Sequence, residues 1–229
     1  MRGIISGFNS FGQHEHNPTQ DLVEGLPDAI DTDGNRITLD RVLLDSCCDH
    51  AWEALRQMVQ TGAPKPSFVI LTGLAENRSC ISLERFALNI QDYRIPDNSG
   101  HQWQDRRLDD SGPEALRTQI SLIKLRDELQ SKGAVCEVSN HAGTFLCNEV
   151  FYRTLRWMEL RKLPQHAIFV HFPPPLAYMA QLSARGPSGG CPADTAVALA
   201  QALDEYRQVV LHIARFAARA ALGAGPQPN

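Results

Sequence analysis

Residues 67–73, "SFVILTG", form a nearly unbroken apolar run between Pro66 and Gly73. A short apolar run that is bounded by turn-forming residues is typical of a strand buried on both faces of a parallel sheet. Further strand-like segments lie at 3–7, 37–45, 134–139 and 167–172. The sequence therefore predicts a sheet whose central strands are covered on both sides.

Helical segments alternate with these strands, at 48–62, 113–133, 147–163 and 193–221. This alternation is typical of an α/β domain, in which helices cover both faces of a mostly parallel, twisted sheet. The polar, turn-rich segment 93–112 is predicted to be a long surface excursion, and ordered loops of this length are often functional. We predict a single-domain, three-layer α/β sandwich over residues 1–222, followed by a disordered tail at 223–229.

The composition argues against several classes of protein. The chain carries a formal net charge of −4 and no basic block, so neither nucleic acid nor an anionic membrane is an expected partner. No apolar run approaches the roughly 20 residues of a transmembrane helix, and the N-terminal segment lacks the features of a signal peptide. The six cysteines are expected to be reduced thiols. We therefore expect a cytoplasmic protein.

Cys147 is the first candidate for a catalytic residue. It follows "SNHAGTFL" (139–146) and lies in the first turn of a predicted helix. The N-terminus of a helix lowers the pKa of a thiol and favours the reactive thiolate. Cysteine is also among the most frequently buried residues, and Cys147 next to Phe145 and Leu146 could equally fill space in a core. The local sequence leaves both interpretations open.

A catalytic cysteine needs a base to accept its proton and a group that orients this base. His171 lies at the carboxyl end of the predicted strand 167–172, where functional groups of open α/β sheets gather. The strand 134–139 ends shortly before Cys147, and we expect its carboxyl end at the same edge of the sheet, where Cys147 and His171 would meet. The alternative is a core histidine with satisfied hydrogen bonds.

Glu84 is the candidate for the orienting group. It lies within "GLAENRSCISLERFALNI" (73–90), in mostly apolar surroundings, and a glutamate is rarely buried without a partner. It could hold the imidazole of His171, or it could form an ion pair with Arg78 or Arg85. The residues alone favour neither arrangement.

No metal or cofactor site is predicted. His14 and His16 lie two positions apart in a predicted loop, without an evident third ligand. The cysteines form no CxxC pair, and the adjacent Cys47 and Cys48 have a poor geometry for a structural disulfide. The predicted chemistry therefore relies on side chains alone.

Separate segments together resemble the pyroglutamyl peptidase I family, also called pyrrolidone-carboxyl peptidases. They are "GFNSFGQHEHNP" (7–18), "GLAENRSCISLERFALN" (73–89) with "RIPDN" (94–98), "AGTFLCNEVFY" (142–152) and "FVHFP" (169–173). The resemblance covers residues 3–175 in colinear order, and several motifs in the right order are more specific than any one of them. It implies an α/β cysteine peptidase that removes an N-terminal pyroglutamyl residue from peptides.

Residue by residue, the resemblance implies that Cys147 is the nucleophile, His171 the general base and Glu84 the carboxylate that orients the base. The backbone N–H of Cys147, at the start of a helix, is one candidate for stabilising the oxyanion, and Arg94 is a second. Cys147, His171 and Glu84 are also the three residues that the strand ends and the apolar surroundings suggest.

The resemblance also implies a small apolar slot for the lactam ring, with walls formed by Phe8, Phe11, Ile95 and Phe145. Leu74 stands where the family usually has a glutamine that reads the polar edge of the lactam. Further departures from the family pattern are Ser10, Glu76, Asn77 and Phe86. A site that hydrogen-bonds a polar group discriminates strongly, and an apolar replacement relaxes that discrimination.

The leading interpretation is a peptidase for peptides with a pyroglutamyl-blocked N-terminus, acting through a thioester acyl-enzyme. Because of Leu74, one alternative is a divergent amidase that uses Cys147 on another small N-terminal acyl or lactam group. A non-catalytic binding homologue is the other alternative. The peptide substrate is the expected partner, and the resemblance implies a homo-oligomer, either a dimer or a tetramer.

Overall fold

The computed structural model of the protein describes residues 1–11, 16–163, 166–185 and 194–223. His14 and Cys191 lie outside these residues, as does the predicted tail except for Gly223, which ends the last helix. The described residues form eight strands and six helices.

The strands are β1 (Arg2–Phe8), β2 (Ala29–Thr32), β3 (Asn35–Leu44), β4 (Phe68–Leu74), β5 (Ile81–Leu88), β6 (Ala115–Arg117), β7 (Cys136–His141) and β8 (Ala167–Phe172). The helices are α1 (Pro18–Glu24), α2 (Cys48–Thr61), α3 (Leu122–Ser131), α4 (Leu146–Leu160), α5 (Pro175–Arg185) and α6 (Thr195–Gly223).

All eight strands belong to one sheet, in the order β2-β3-β1-β4-β8-β5-β6, with β7 paired to β5. The four strands β3, β1, β4 and β8 run parallel to one another. The edge strands β2 and β6 run antiparallel to their neighbours. The prediction of a mostly parallel sheet is confirmed.

Helices cover both faces of the sheet. One core layer lies between the sheet and α1, α3, α5 and α6, and a second lies between the sheet and α2 and α4. The apolar runs of the sequence supply the centre, since every residue of β1 and of β8 is buried. In β4 only Leu74, its last residue, is partly exposed. The predicted three-layer α/β sandwich is therefore confirmed.

The direction of β7 relative to β8 differs from the expectation that both strands end at the same edge of the sheet. β5 pairs antiparallel with β8 and parallel with β7, so β7 runs opposite to β8. The carboxyl end of β7 therefore lies toward the edge of the sheet opposite to the carboxyl end of β8, and the expectation that both end at one edge is wrong. Cys147 reaches His171 by another route, because the chain turns after His141 and α4 begins over the face of the sheet.

The predicted helix at 113–133 is wrong in its first half. Ala115–Arg117 forms β6 and pairs with the last three residues of β5, which buries Leu116 and satisfies backbone groups that a helix would have used locally. The helix begins only at Leu122. The sequence prediction also lacks β2, β5 and α5, because short segments carry a weak periodic signal.

Two further features concern the described chain as a whole. None of its helices combines the length and the apolar composition needed to cross a bilayer. The described cysteines form no disulfide with one another: Cys47, Cys48, Cys80, Cys136 and Cys147. Packing and hydrogen bonds, rather than disulfides, therefore hold these parts of the chain together.

The approach of α1 to β1 gives a test of this packing. A Cβ at Gly7 would overlap the backbone carbonyl oxygen of Thr19 in α1, which cannot rotate away as a side chain can. Gly7→Ala is therefore expected to lower the free energy of unfolding by about 1–3 kcal/mol. Denaturant titration measures this change.

Ser6→Ala is the matched control on the same strand. The Ser6 hydroxyl is buried and has no hydrogen-bond partner among the described residues, so its removal should leave stability unchanged or slightly higher. Equal stability losses for the two variants would contradict the packing argument.

Candidate active site

A buried carboxylate and a buried imidazole lie side by side in the sheet. Glu84 is in the middle of β5 and His171 is near the end of β8, and they are 0% and 5% exposed. His171 Nδ1 lies 2.7 Å from Glu84 Oε1. Because an ionised carboxylate only accepts hydrogen bonds, Nδ1 carries the proton and Nε2 keeps its lone pair. The pair is thus arranged as a base with its orienting group.

Arg78 contacts the same carboxylate oxygen. Its Nη1 donates to Glu84 Oε1 over 2.6 Å, and its Nη2 lies 3.4 Å from Ser139 Oγ. Arg85, the other candidate partner, instead donates to Asn140. The two interpretations of Glu84 are therefore both realised, since it holds the imidazole and forms an ion pair at once. Arg78 therefore belongs to the site, whereas the sequence analysis considered it only as a possible ion-pair partner of Glu84.

Cys147 lies next to this pair, in the first turn of α4. Gly73 of β4 is the ladder neighbour of His171, and a Cβ at Gly73 would lie 3.0 Å from Cys147 Sγ. The Phe169 ring is 4.7 Å from the His171 ring and also faces Gly73. Only glycine leaves room for the thiol at this point of the sheet. Among the described residues no hydrogen bond joins the thiol to the imidazole, a contact that often tightens only when substrate binds.

Burial raises the pKa of Cys147 to about 12, and the negative charge of Glu84 acts in the same direction. The backbone N–H of Cys147 and the charge of Arg78 oppose this shift but do not outweigh it. The expectation that the helix N-terminus favours the thiolate is therefore wrong for the resting site, because desolvation is the larger effect.

Burial also lowers the pKa of His171, although the hydrogen bond to Glu84 partly offsets it. The imidazole is therefore neutral near neutral pH and able to accept a proton. A neutral thiol beside a neutral imidazole indicates that the nucleophile forms by proton transfer at the moment of attack.

A cavity of about 450 Å³ opens beside Cys147. Its lining includes all the side chains that the resemblance assigned to the pocket: Phe8, Phe11, Leu74, Ile95 and Phe145. Aromatic rings meet at one wall, where the Phe145 ring lies 5.2 Å from Phe11 and 4.5 Å from Tyr93. His171 and Glu84 are buried behind the thiol, outside the lining of the cavity.

A buried polar network supports the aromatic wall. Glu149, two residues after Cys147, accepts hydrogen bonds from Gln91 (2.7 Å), Tyr93 (2.7 Å) and Arg153 (2.8 Å). These contacts fix the Tyr93 ring against Phe145. This network was not predicted from the sequence, because its members come from two distant segments.

The cavity is also lined by polar side chains that the sequence analysis did not single out: Asn17, Ser46, Asp92 and Thr144. Glu76 and Asn77, which depart from the family pattern, line it as well. Asn17 could have been found as a helix cap, because it precedes Pro18 and accepts a hydrogen bond from the Thr19 N–H. His16 contacts Asp21, and His14 lies outside the described residues.

The start of α4 offers backbone donors to an anion. Its N-cap residue is Phe145, whose side chain has no acceptor, so no side chain occupies the N–H groups of the first turn. Arg94 lines the cavity and is exposed at its rim. Both groups thus border the cavity that Cys147 also lines.

Comparison with known proteins gives a consistent result. The family model described as "Pyroglutamyl peptidase" matches residues 1–205. The chain is 33% identical over 171 residues to the pyrrolidone-carboxylate peptidase of Vibrio parahaemolyticus, covering 74% of this chain and 77% of that protein. It is 34% identical to the pyrrolidone-carboxylate peptidase of Pyrococcus furiosus, with 76% and 81% covered.

Solved structures agree with these sequence matches. A mutant pyrrolidone carboxyl peptidase from Pyrococcus furiosus superposes with a TM-score of 0.80 at 26% identity, covering 96% of this chain and all of that one. Pyroglutamyl peptidase I of Bacillus amyloliquefaciens gives a TM-score of 0.77 at 25% identity, with 96% and 98% covered.

The charges around Cys147 predict two opposite effects on its reactivity. Arg78 lowers the pKa of Cys147, so Arg78→Gln should shift the pH profile of Cys147 alkylation to higher pH. Glu84 raises that pKa, so Glu84→Gln should shift the profile to lower pH. The measurement is the rate of iodoacetamide modification of the Cys147 peptide, followed by mass spectrometry.

Arg85→Gln is the matched control for this experiment. Arg85 adjoins Glu84 in sequence but pairs with Asn140, so its removal should leave the profile in place. Shifts of the same sign for Arg78→Gln and Glu84→Gln would show that the two charges do not act on the thiol as described.

Proposed function

We infer that this chain, which belongs to the pyroglutamyl peptidase family, is a cysteine peptidase that removes an N-terminal pyroglutamyl residue from peptides. The observation that carries the assignment of roles is the buried Glu84–His171 pair beside Cys147, at the end of an aromatic cavity. We propose Cys147 as nucleophile, His171 as general base and acid, and Glu84 as the orienting carboxylate.

The proposed reaction begins when the Cys147 thiol proton passes to His171 Nε2 and the sulfur attacks the carbonyl carbon of the pyroglutamyl residue. The tetrahedral intermediate collapses, the C–N bond breaks, and His171 returns the proton to the departing amine. This leaves a thioester on Cys147. Water, deprotonated by His171, then attacks the thioester, releases pyroglutamate and restores the thiol.

Glu84 and Arg78 prepare the imidazole for both steps. Glu84 fixes Nδ1–H and stabilises the imidazolium that forms when Nε2 takes the proton. Arg78 places a positive charge 2.6 Å from the same oxygen and so compensates the buried carboxylate. We propose that the N–H of Cys147 and the Arg94 side chain stabilise the oxyanion, a role for which losing one donor typically costs about 10²–10³ in rate.

The cavity suits a small, flat, blocked N-terminus. The rings of Phe11 and Phe145 and the side chain of Ile95 give apolar walls on which a lactam ring could stack. The Asn17 amide is held by Thr19 and Asn9, so the side chains of Asp92 and Thr144 are the polar groups that could read its amide edge.

One observation favours a second candidate activity. Leu74 lies in the cavity at the position where the family resemblance leads one to expect a glutamine, so the lactam would lose a hydrogen-bonding partner there. An amidase acting through Cys147 on another small N-terminal acyl or lactam group is therefore the alternative.

Three further proposals concern the whole protein. We propose that residues 1–222 form a single domain and that the protein is cytoplasmic, which the free thiols of the described chain support.

We propose a homo-oligomer, a dimer or a tetramer, because large apolar side chains such as Val197 and Leu199 of α6 are exposed. Light scattering of the purified protein tests the oligomer, and a monomer would contradict it.

The proposed activity is tested by release of a fluorophore from an N-terminal pyroglutamyl amide. The wild type should turn it over, and Cys147→Ser should abolish turnover. Cys80→Ser, which removes a thiol outside the cavity lining, is the matched control and should retain activity. Glu84→Gln should turn over substrate more slowly even though its thiol alkylates at lower pH.

The other outcomes discriminate between the alternatives. If the wild type ignores the pyroglutamyl amide while Cys147 still reacts with iodoacetamide, a panel of other acyl amides tests the amidase. If Cys147 is also inert, the protein is a binding homologue rather than an enzyme.

Leu74→Gln should improve the pyroglutamyl amide as a substrate. A glutamine amide in the cavity could hydrogen-bond the lactam edge, and one such bond contributes about 1 kcal/mol, so kcat/KM should rise about fivefold. Leu74→Met, which keeps the wall apolar, is the control and should change kcat/KM little. An unchanged kcat/KM for Leu74→Gln would mean that other groups already read the lactam.

A further inference from the structure

A second cluster of reactive side chains lies apart from Cys147. It contains Cys48, the first residue of α2, with Asp97 and His101 from the loop that follows Tyr93. Cys48 Sγ lies 3.7 Å from His101 Nδ1, and His101 Nδ1 lies 3.8 Å from Asp97 Oδ2. The three ligand atoms lie within 4.8 Å of one another.

These separations approach those of a tetrahedral metal site. Zinc binds sulfur at about 2.3 Å, nitrogen at about 2.0–2.1 Å and carboxylate oxygen at about 2.0–2.2 Å, which puts neighbouring ligand atoms roughly 3.3–3.6 Å apart. The observed 3.7 and 3.8 Å would need only a small contraction. Thiolate, imidazole and carboxylate together are a donor set that suits zinc.

We propose that Cys48, Asp97 and His101 bind a zinc ion, with water as the fourth ligand. Binding forms one bond each from Sγ, Nδ1 and Oδ2 to the metal and releases the Cys48 thiol proton to solvent. The thiolate and the carboxylate then match the two positive charges of the ion. This site does not depend on the proposed peptidase activity.

The surroundings hold two of the ligands in place. The Asp97 carboxylate accepts backbone N–H bonds from Cys48, Ser99 and His101, all at 2.9 Å. The imidazole of His101 stacks on the Trp103 ring, 5.5 Å between centroids and 9° between planes. Outer contacts of this kind fix the orientation of metal ligands.

An ion can reach the cluster from solvent. The His101 side chain is 46% exposed. Cys48 also lines a separate cavity of about 370 Å³ together with His50, Trp52, Glu53, Glu149 and Arg153. A bound ion would tie the loop that carries Arg94 and Ile95 to the start of α2, and these two residues line the proposed substrate cavity.

Cobalt(II) is the probe for this site, because a cysteine–cobalt bond gives a charge-transfer absorption. The full chain with Cys147→Ser is used, so that the thiol of the proposed active site cannot bind the metal. One equivalent of cobalt should give the absorption, and zinc should displace it. Zinc should also raise the unfolding midpoint of this variant.

Three substitutions in that background test the proposal. Adding Cys48→Ser should abolish both the absorption and the zinc-dependent shift, whereas adding Cys47→Ser should change neither. His101→Asn removes the imidazole nitrogen of a half-exposed side chain, and it should weaken cobalt binding by more than the roughly 10–100-fold that the loss of an outer contact typically costs. No absorption in the Cys147→Ser protein, or an absorption that survives Cys48→Ser, would overturn the proposal.

Discussion

The ionised carboxylate of Glu84 is the constraint on which the site depends. A charge with no exposed surface is costly by several kcal/mol unless partners compensate it. Arg78 and His171 both do so at one oxygen, over 2.6 and 2.7 Å. The position of β5 between β8 and β7 brings Glu84 beside His171 and within reach of an arginine from the preceding loop.

The same burial determines the state of the nucleophile. The start of α4 and Arg78 stabilise negative charge on Cys147, but desolvation and Glu84 outweigh them. The thiol therefore rests in its protonated, less reactive form. Reactivity is coupled to the neighbouring imidazole, which burial also keeps neutral. Such a site has no standing thiolate to be oxidised between turnovers.

The sequence predicts the features that depend on local pattern and residue type. The apolar run at 67–73 marks a central strand, and the candidates Cys147, His171 and Glu84 do lie together. What it misses depends on tertiary context: the strand β5 with its antiparallel pairing to β8, the pairing that turns 115–117 into a strand, and the sign of the Cys147 pKa shift. The cluster at Cys48 was missed for the same reason, because Cys48 is 49 positions from Asp97 and 53 from His101 in the chain.

The separation of Glu84 and His171 in sequence has a consequence for how the chain acquires its chemistry. The two residues are 87 positions apart, and Cys147 comes from a third element. Contacts of this range form only after long loops have closed, and they are characteristic of slow folding. The constellation therefore does not exist in a nascent chain that has not yet supplied β8. Return of function after denaturation would report completion of the sheet, rather than early collapse.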